Sequence, residues 1–542
     1  MGLPKQTRSI CPECKKILDA RVFEKDGAVR MEKECPVHGR FEDVIYSDAA
    51  HYHIMEQYRF GDGRGVEKPH VGTYTACPES CGLCPAHLSH TALGNIDLTN
   101  RCNLSCPYCF ANSNARGLLY EPSLDQVLGM LRNLRAERPV PAACVQFAGG
   151  EPTLHPDFTS IVRAARDLEF SAVQVATNGL RFLDEAFCAE CRDAGLNSVY
   201  LQFDAMDDET YRKIRGRELL ETKLRVVENI RRTGGMSIVL VPTVIQGVND
   251  HAVGEIFRFA VDNVNVITGI SFQPVAVTGR VPLKKRTEIR YTLSDMANDL
   301  AEQTGALRAD GWAPLSATVP LSRLVSALSG REITAYTAHH HCSMATYVFV
   351  ESSGRPVQIT DFIDVPRMLE EMDRLAANLE GAWVKSIGKT LTKFKALNAL
   401  RRCFRPDRAP EGLTFDVFLR AVEELMGKKS DRSPGRKYAY RTLMVGGMHF
   451  MDSYNYDVER VQRCVVHYAA PNGRIYPFCA YNAGPAYRLR IEEKYACTLP
   501  ELRAKSERLG RPKDLEKLVR DAALGKSPGG NGAGDCTPPR CC

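Results

Sequence analysis

Cys102, Cys106 and Cys109 stand at C-x3-C-x2-C spacing, directly after the apolar run Ile96-Asp97-Leu98, which reads as a strand end. Cysteine thiolates are the usual ligands of iron–sulfur clusters, which normally take four. A set of three leaves one iron of a four-iron cube without a protein ligand. An open metal position is where chemistry can occur. A zinc knuckle would use the same residue types, so the second motif has to decide.

That motif is Gly149-Gly150-Glu151-Pro152, which begins forty residues after Cys109 and follows the strand-like run Cys144-Val145-Gln146-Phe147-Ala148. Glycines let the backbone approach a ligand without a Cβ clash. A carboxylate beside them can accept hydrogen bonds from an ammonium group. Taken together, and with Tyr108 before the third cysteine and Phe110 after it, the two motifs resemble the signature of the radical SAM superfamily. The resemblance implies a [4Fe–4S] cluster on the catalytic residues Cys102, Cys106 and Cys109. Its open iron chelates the amino and carboxylate groups of S-adenosylmethionine. One electron then cleaves the sulfonium and releases a 5′-deoxyadenosyl radical. Gly149, Gly150 and Glu151 are expected to hold the methionine amino group.

The elements that must position these motifs alternate between strand and helix. Apolar runs at Gly94–Leu98, Cys144–Ala148, Ala172–Ala176, Val199–Phe203, Ile238–Val244 and Val264–Phe272 read as strands. Ser123 can cap a helix on which Leu124, Val127, Leu128, Leu131 and Leu134 recur at helical spacing. Further helices are expected at Asp157–Leu168, Asp184–Ala194, Asp208–Arg231 and His251–Val261. Such alternation predicts a parallel α/β architecture, whose active face lies at the C-terminal strand ends. The superfamily resemblance makes it a partial (β/α)6 barrel. It also assigns Tyr108, Thr177, Asn178, Gln202 and Asp204, with the glycine motif, to binding S-adenosylmethionine.

Cysteine-rich segments flank the barrel on both sides. Cys11-Pro-Glu-Cys14 and Cys35-Pro-Val-His38 form two knuckles, a common metal-ribbon layout. A module of this size gains from a metal staple. Three cysteines and a histidine suit zinc, while a rubredoxin-like iron site would want a fourth cysteine, so the expectation is one mononuclear iron or zinc. Cys77, Cys81 and Cys84 form a second C-x3-C-x2-C set, read as ligands of an auxiliary cluster, with His87 near. Cys464 and Cys479 bound a hairpin around Asn472-Gly473, a type I′ turn signal, and with Cys342 they are candidate ligands of another. One or two auxiliary [4Fe–4S] clusters are therefore expected. Cys188 and Cys191 sit three apart on a predicted helix, where burial explains them.

The expected division is a metal module over residues 1–50, a linker with an auxiliary motif over 51–93, the barrel over 94–310, a C-terminal auxiliary-cluster and substrate domain over 311–525 and a disordered tail over 526–542. Twenty cysteines in 542 residues, without an apolar leader near Met1, point to metal sites in a reducing cytoplasm rather than to disulfides. The net charge of +6 gives no argument for nucleic acid, and no run is long and apolar enough to span a membrane.

Residues 384–405 carry Val384, Ile387, Leu391, Phe394, Leu397, Leu400 and Phe404 at intervals of three or four, among seven Lys and Arg and no acidic residue. Such a helix can lie in a membrane interface, here on the inner face, or pack on its own domain with a solvated basic side.

The whole arrangement, including Phe450-Met-Asp-Ser-Tyr-Asn-Tyr456-Asp and the Cys464–Cys479 region, resembles the tetraether lipid synthase group. That resemblance implies joining the termini of phytanyl chains of archaeal ether phospholipids, fed by a low-potential donor such as ferredoxin or flavodoxin. The same group has carried a methyltransferase assignment on 7,8-dihydro-6-hydroxymethylpterin. A reading from another class is a multi-cluster electron carrier, which would need no S-adenosylmethionine site.

Overall fold

The computed structural model describes residues 2–497, apart from 62–64, 73, 75, 115–116, 381–384, 427–438 and 486. Six parallel strands form its centre: Leu93–Thr99, Cys144–Gly149, Ala172–Thr177, Ser198–Gln202, Ser237–Val241 and Ile267–Pro274. Their order along the sheet follows the chain, as right-handed strand–helix units require. These are the α/β core and the strands that the apolar runs predict. Val145, Phe147, Val175, Val199, Leu201, Ile238, Leu240 and Ile270 are buried and fill the centre.

The helix Leu124–Ala136 begins at Ser123 through a capping box in which Gln126 reciprocates. One expected helix is divided. Asp208–Arg231 folds as Asp208–Arg215 and Leu220–Thr233. Gly216 ends the first with φ 74°, and the Asp208 carboxylate accepts from the Leu219 and Leu220 amides at 2.8 and 2.9 Å.

Strands from the C-terminal part extend this same sheet at both margins. Arg441–Met448 pairs in parallel with Ile267–Pro274 and antiparallel with Ser343–Val350. At the other margin Val466–Ala469 pairs in parallel with Leu93–Thr99, with Val466 opposite Leu93. The Cys464–Cys479 hairpin forms, Ala469 facing Ile475. Its turn is not type I′, because Gly473 has φ 79° while Asn472 keeps a negative φ. The Ala470 amide instead donates to the Arg474 carbonyl across a longer loop.

Residues Lys5–Ile10, Ile17–Lys25, Ala28–Cys35 and Gly39–Tyr46 form a separate four-stranded antiparallel meander. Buried Arg290 fastens it to the rest, pairing with Asp43 at 2.6 Å and Asp452 at 2.7 Å. Lys33 adds a bond to the Ser453 carbonyl at 2.7 Å.

No helix among the described residues is long and apolar enough to cross a membrane. Among the described side chains of the helix Lys385–Cys403, Thr392, Ala396, Ala399 and Cys403 are buried, while Leu391, Phe394 and Leu397 are exposed. Val384 and the side chain of Ile387 lie outside the described residues, as do the cysteines and all else of the tail from 526.

Candidate active site and metal centres

The loop carrying Cys102, Cys106 and Cys109 leaves the strand Leu93–Thr99 at its C-terminal end, and the glycine motif leaves the neighbouring strand at the same end. A Cβ on Gly149 would fall 2.2 Å from the Thr99 carbonyl oxygen, and one on Gly150 2.0 Å from that of Arg101. The two glycines therefore let one backbone lie against another. The Gly150 and Glu151 amides donate to those same two carbonyls, both at 2.7 Å. This seats the start of the cysteine loop.

The Glu151 carboxylate was expected to face an ammonium group. It is buried and accepts hydrogen bonds from three residues. Oε1 accepts from Thr153 Oγ1 at 2.6 Å and Thr177 Oγ1 at 2.7 Å, and Oε2 accepts from the Asn178 amide at 2.8 Å. Glu151 thus ties two strand ends together, and Thr177 is engaged with it. Asn178 reaches the cysteine loop, its Nδ2 lying 2.6 Å from Asn103 Oδ1 and 3.9 Å from Cys102 Sγ. Asp204 is fully buried and takes Arg215 through both oxygens at 2.8 Å. Gln202 accepts from Lys223 at 3.0 Å. Tyr108 packs against the apolar group of Ile214, Ile245, Val275 and Val277.

Four residues near this loop escape a reading of sequence. A Cβ on Gly279 would stand 2.2 Å from the Cys109 carbonyl oxygen. Arg280 donates to the Cys106 carbonyl and to Asn112 Oδ1, both at 3.2 Å. Arg215 lies beside the Cys106 thiol, and burial draws the Lys223 ammonium down to about 7. Gly279, Arg280 and Arg215 reach the loop across a large stretch of chain, Lys223 reaches the neighbouring Asn178 carbonyl, and only the glycine–arginine pair shortly after a strand could have hinted at any of this.

Burial raises the Cys102 thiol, with the Glu151 charge and the other two thiols adding to it, and it raises Cys106 as well. Two buried thiols that resist ionisation beside a third cysteine fit a set completed by metal, since binding supplies the charge that thiolates need.

The N-terminal module brings Cys11, Cys14, Cys35 and His38 together, their ligand atoms within 4.8 Å of one another. Cys14 and Cys35 are 3.9 Å apart through sulfur, and His38 Nδ1 stands 3.6 and 3.5 Å from the Cys11 and Cys35 sulfurs. Tetrahedral ligands at metal–sulfur and metal–nitrogen bond lengths stand about 3.5–3.8 Å apart. The module therefore has the Cys3His geometry for one ion. Backbone hydrogen bonding at Val37, then the His38 ring, lowers the Cys35 thiol to about 6. Among the described residues no other cysteine set is gathered so tightly, and a cluster of several irons needs the wider spacing of the remaining triads.

Members of the two auxiliary triads share one apolar group that includes Cys77, Cys81, Tyr456, Phe478 and Cys479, with Cys464 against it. Burial pushes the Cys77 thiol up to about 12, with Cys84 adding to it, and Cys81 is raised by burial and by both neighbours. Cys464 is likewise raised by burial and then by Cys479 and Cys342. The Cys342 thiol meets Arg460 Nε at 3.4 Å. His87 turns to the Cys464 carbonyl at 3.0 Å and His467 at 3.1 Å. Cys188 and Cys191 are buried in the main core.

The chain matches the radical SAM superfamily over residues 96–260 and the HMPTM N-terminal zinc ribbon domain over residues 3–47. It is 40% identical over 518 residues to the 7,8-dihydro-6-hydroxymethylpterin dimethyltransferase of Methanocaldococcus jannaschii, covering 95% of this chain and 100% of that one. A probable GTP 3′,8-cyclase of Methanothermobacter thermautotrophicus is 28% identical over 166 residues, 30% of this chain and 52% of that one. Among solved structures, Streptococcus suis SuiB bound to S-adenosylmethionine aligns over 39% of this chain and 47% of that one, with 18% identity and a TM-score of 0.33. The chain is a radical SAM enzyme and belongs to the family of the Methanocaldococcus jannaschii protein, zinc ribbon included.

Proposed function

We propose that this enzyme transfers methyl groups to a hydroxymethylated dihydropterin. The observation that carries this reading is the match to the pterin dimethyltransferase over 95% of this chain and the whole of that one. Cys102, Cys106 and Cys109 would hold the [4Fe–4S] cluster, and the strand ends around Asn178 and Gln202, with Lys223 reaching them from its helix, would receive S-adenosylmethionine. Together these groups supply one-electron chemistry able to take hydrogen from an unactivated carbon. The chain's own part is to hold the cysteine loop rigid through Gly149, Gly150, Glu151 and Arg280, and to keep water from the site.

We further infer that Cys77, Cys81 and Cys84 hold one auxiliary cluster, and Cys342, Cys464 and Cys479 another. A ferredoxin or flavodoxin is the class of donor that would reduce them.

A second reading, the joining of phytanyl termini of archaeal ether phospholipids, is favoured by one specific observation. Leu391, Phe394 and Leu397 are exposed on a helix with no acidic side chain. A pterin needs no such face, whereas a lipid enzyme working at the inner surface of a membrane uses one.

One anaerobic experiment separates the two. Reconstituted protein receives S-adenosylmethionine and a strong reductant, with reduced pterin in one vessel and archaeal diether phospholipid in the other. Methyl gain on the pterin with inert lipid supports the first reading. Loss of two hydrogens per lipid pair, with inert pterin, overturns it and establishes the second.

A further inference from the structure

Glu56 closes the helix Ala49–Glu56, and His340 and His341 lie in the segment that leads into the strand Ser343–Val350. The Nε2 atoms of both imidazoles stand 2.9 Å from the same oxygen, Glu56 Oε1. All three ligand atoms lie within 4.8 Å of one another. Two ligand bonds of about 2.1 Å at a right angle place their atoms about 3.0 Å apart. The observed separations therefore match neighbouring ligands of one ion.

The surroundings hold the set in place. His341 Nδ1 lies 3.4 Å from the Tyr46 hydroxyl, and the ring stacks on Tyr52 with centroids 4.0 Å apart. Glu56 Oε2 pairs with Arg59. Such outer contacts fix which nitrogen faces a metal. Both imidazoles are buried. The adjoining Cys342 thiol takes no part, because it meets Arg460.

We propose that Glu56, His340 and His341 form a further mononuclear metal site, a two-histidine, one-carboxylate set for a divalent first-row transition ion. It is separate from the Cys3His site and from every cysteine triad. Its chemistry is that of nitrogen and oxygen ligands, which suit zinc or iron(II). An ion here joins the helix that follows the ribbon to the segment that presents Cys342. It therefore steadies an auxiliary ligand without touching it.

Zinc is the probe. Full-length protein, loaded anaerobically with iron and sulfide, is equilibrated with zinc and desalted, and zinc per chain is counted by mass spectrometry. Wild type, Glu56→Gln and His340→Gln are compared. Wild type is expected to hold one zinc per chain more than either variant, and added zinc is expected to raise its melting temperature alone. Zinc that displaces iron from the ribbon adds equally to all three. Hydrogen bonds alone could satisfy the same three side chains, and the amide oxygen introduced by Glu56→Gln would preserve them. Equal zinc counts in wild type and a folded Glu56→Gln variant therefore overturn the proposal. If both variants unfold, the wild-type count decides: zinc no greater than the single ion of the Cys3His set overturns it.

Discussion

Phe110 and Phe478 stack with ring centroids 5.7 Å apart, and each is the chain neighbour of a cysteine proposed to hold a cluster, Cys109 and Cys479. Phe450 also stacks on Phe478, with centroids 3.8 Å apart. The barrel loop and the C-terminal triad thus share an aromatic wall. Phe478→Leu keeps apolar bulk and removes a stacking contact of about 1 kcal/mol. The expected outcome is a folded enzyme that forms at least tenfold more 5′-deoxyadenosine per product than wild type. Liquid chromatography of both compounds measures it, and an unchanged ratio would show that the wall has no part in coupling.

Gly150 has no room for a side chain. Its absent Cβ would press on the Arg101 carbonyl, a backbone atom that cannot move aside cheaply. Gly150→Ala should therefore displace the cysteine loop and weaken S-adenosylmethionine binding at least tenfold in calorimetry. Gly129→Ala, with open space at the Cβ position, is the control and should bind normally.

Glu137 gives stability a dependence on pH. Burial raises its carboxyl to about 7, against the hydrogen bonds from Thr91 that pull it down. The folded state therefore holds this proton where the unfolded chain has lost it. Stability is full below the unfolded value of 4.5 and falls as pH rises toward 7. The loss amounts to about 3 kcal/mol. Glu137→Gln should flatten the decline in melting temperature between pH 5 and 8. A variant with the wild-type slope would place the dependence elsewhere.

The exposed face of the helix Lys385–Cys403 tests the second functional reading without disturbing the fold. Replacing Leu391 and Phe394 with serine should change stability by less than about 0.5 kcal/mol. Binding to anionic lipid vesicles in flotation assays should drop at least tenfold if the enzyme works at a membrane. Methylation of a pterin should be untouched.

What the sequence makes legible is local. Each barrel strand reads as a short apolar run, and the observed strands lie within a few residues of those runs because burial on both faces of a parallel sheet demands them. Ser123 announces its helix because a cap acts over three residues. The Cys3His set is readable for the same reason, its ligands lying on two tight knuckles of one meander. Contacts between distant segments are not legible. Nothing near Arg280 shows that it will reach the Cys106 carbonyl, and nothing in the motif shows that Glu151 will be met by Thr177 and Asn178. The break at Gly216 was visible as a residue, yet amphipathic spacing on both sides of it reads as one helix. The stripe on residues 384–405 misleads similarly. Spacing shows that Leu391, Phe394 and Leu397 share a side, but the small residues Ala396 and Ala399 are the ones that a neighbouring helix can approach closely.

The pairing of Val466–Ala469 with Leu93–Thr99 also constrains how the molecule is made. During translation the first barrel strand keeps one open edge until residues beyond 466 have left the ribosome. Such edges invite pairing with other chains, so the nascent protein needs shielding over most of its synthesis. Cys464 and Cys479 emerge with the strand that closes the edge. Iron delivered earlier would find the C-terminal triad incomplete, which makes loading of that site an event that follows the emergence of Cys479.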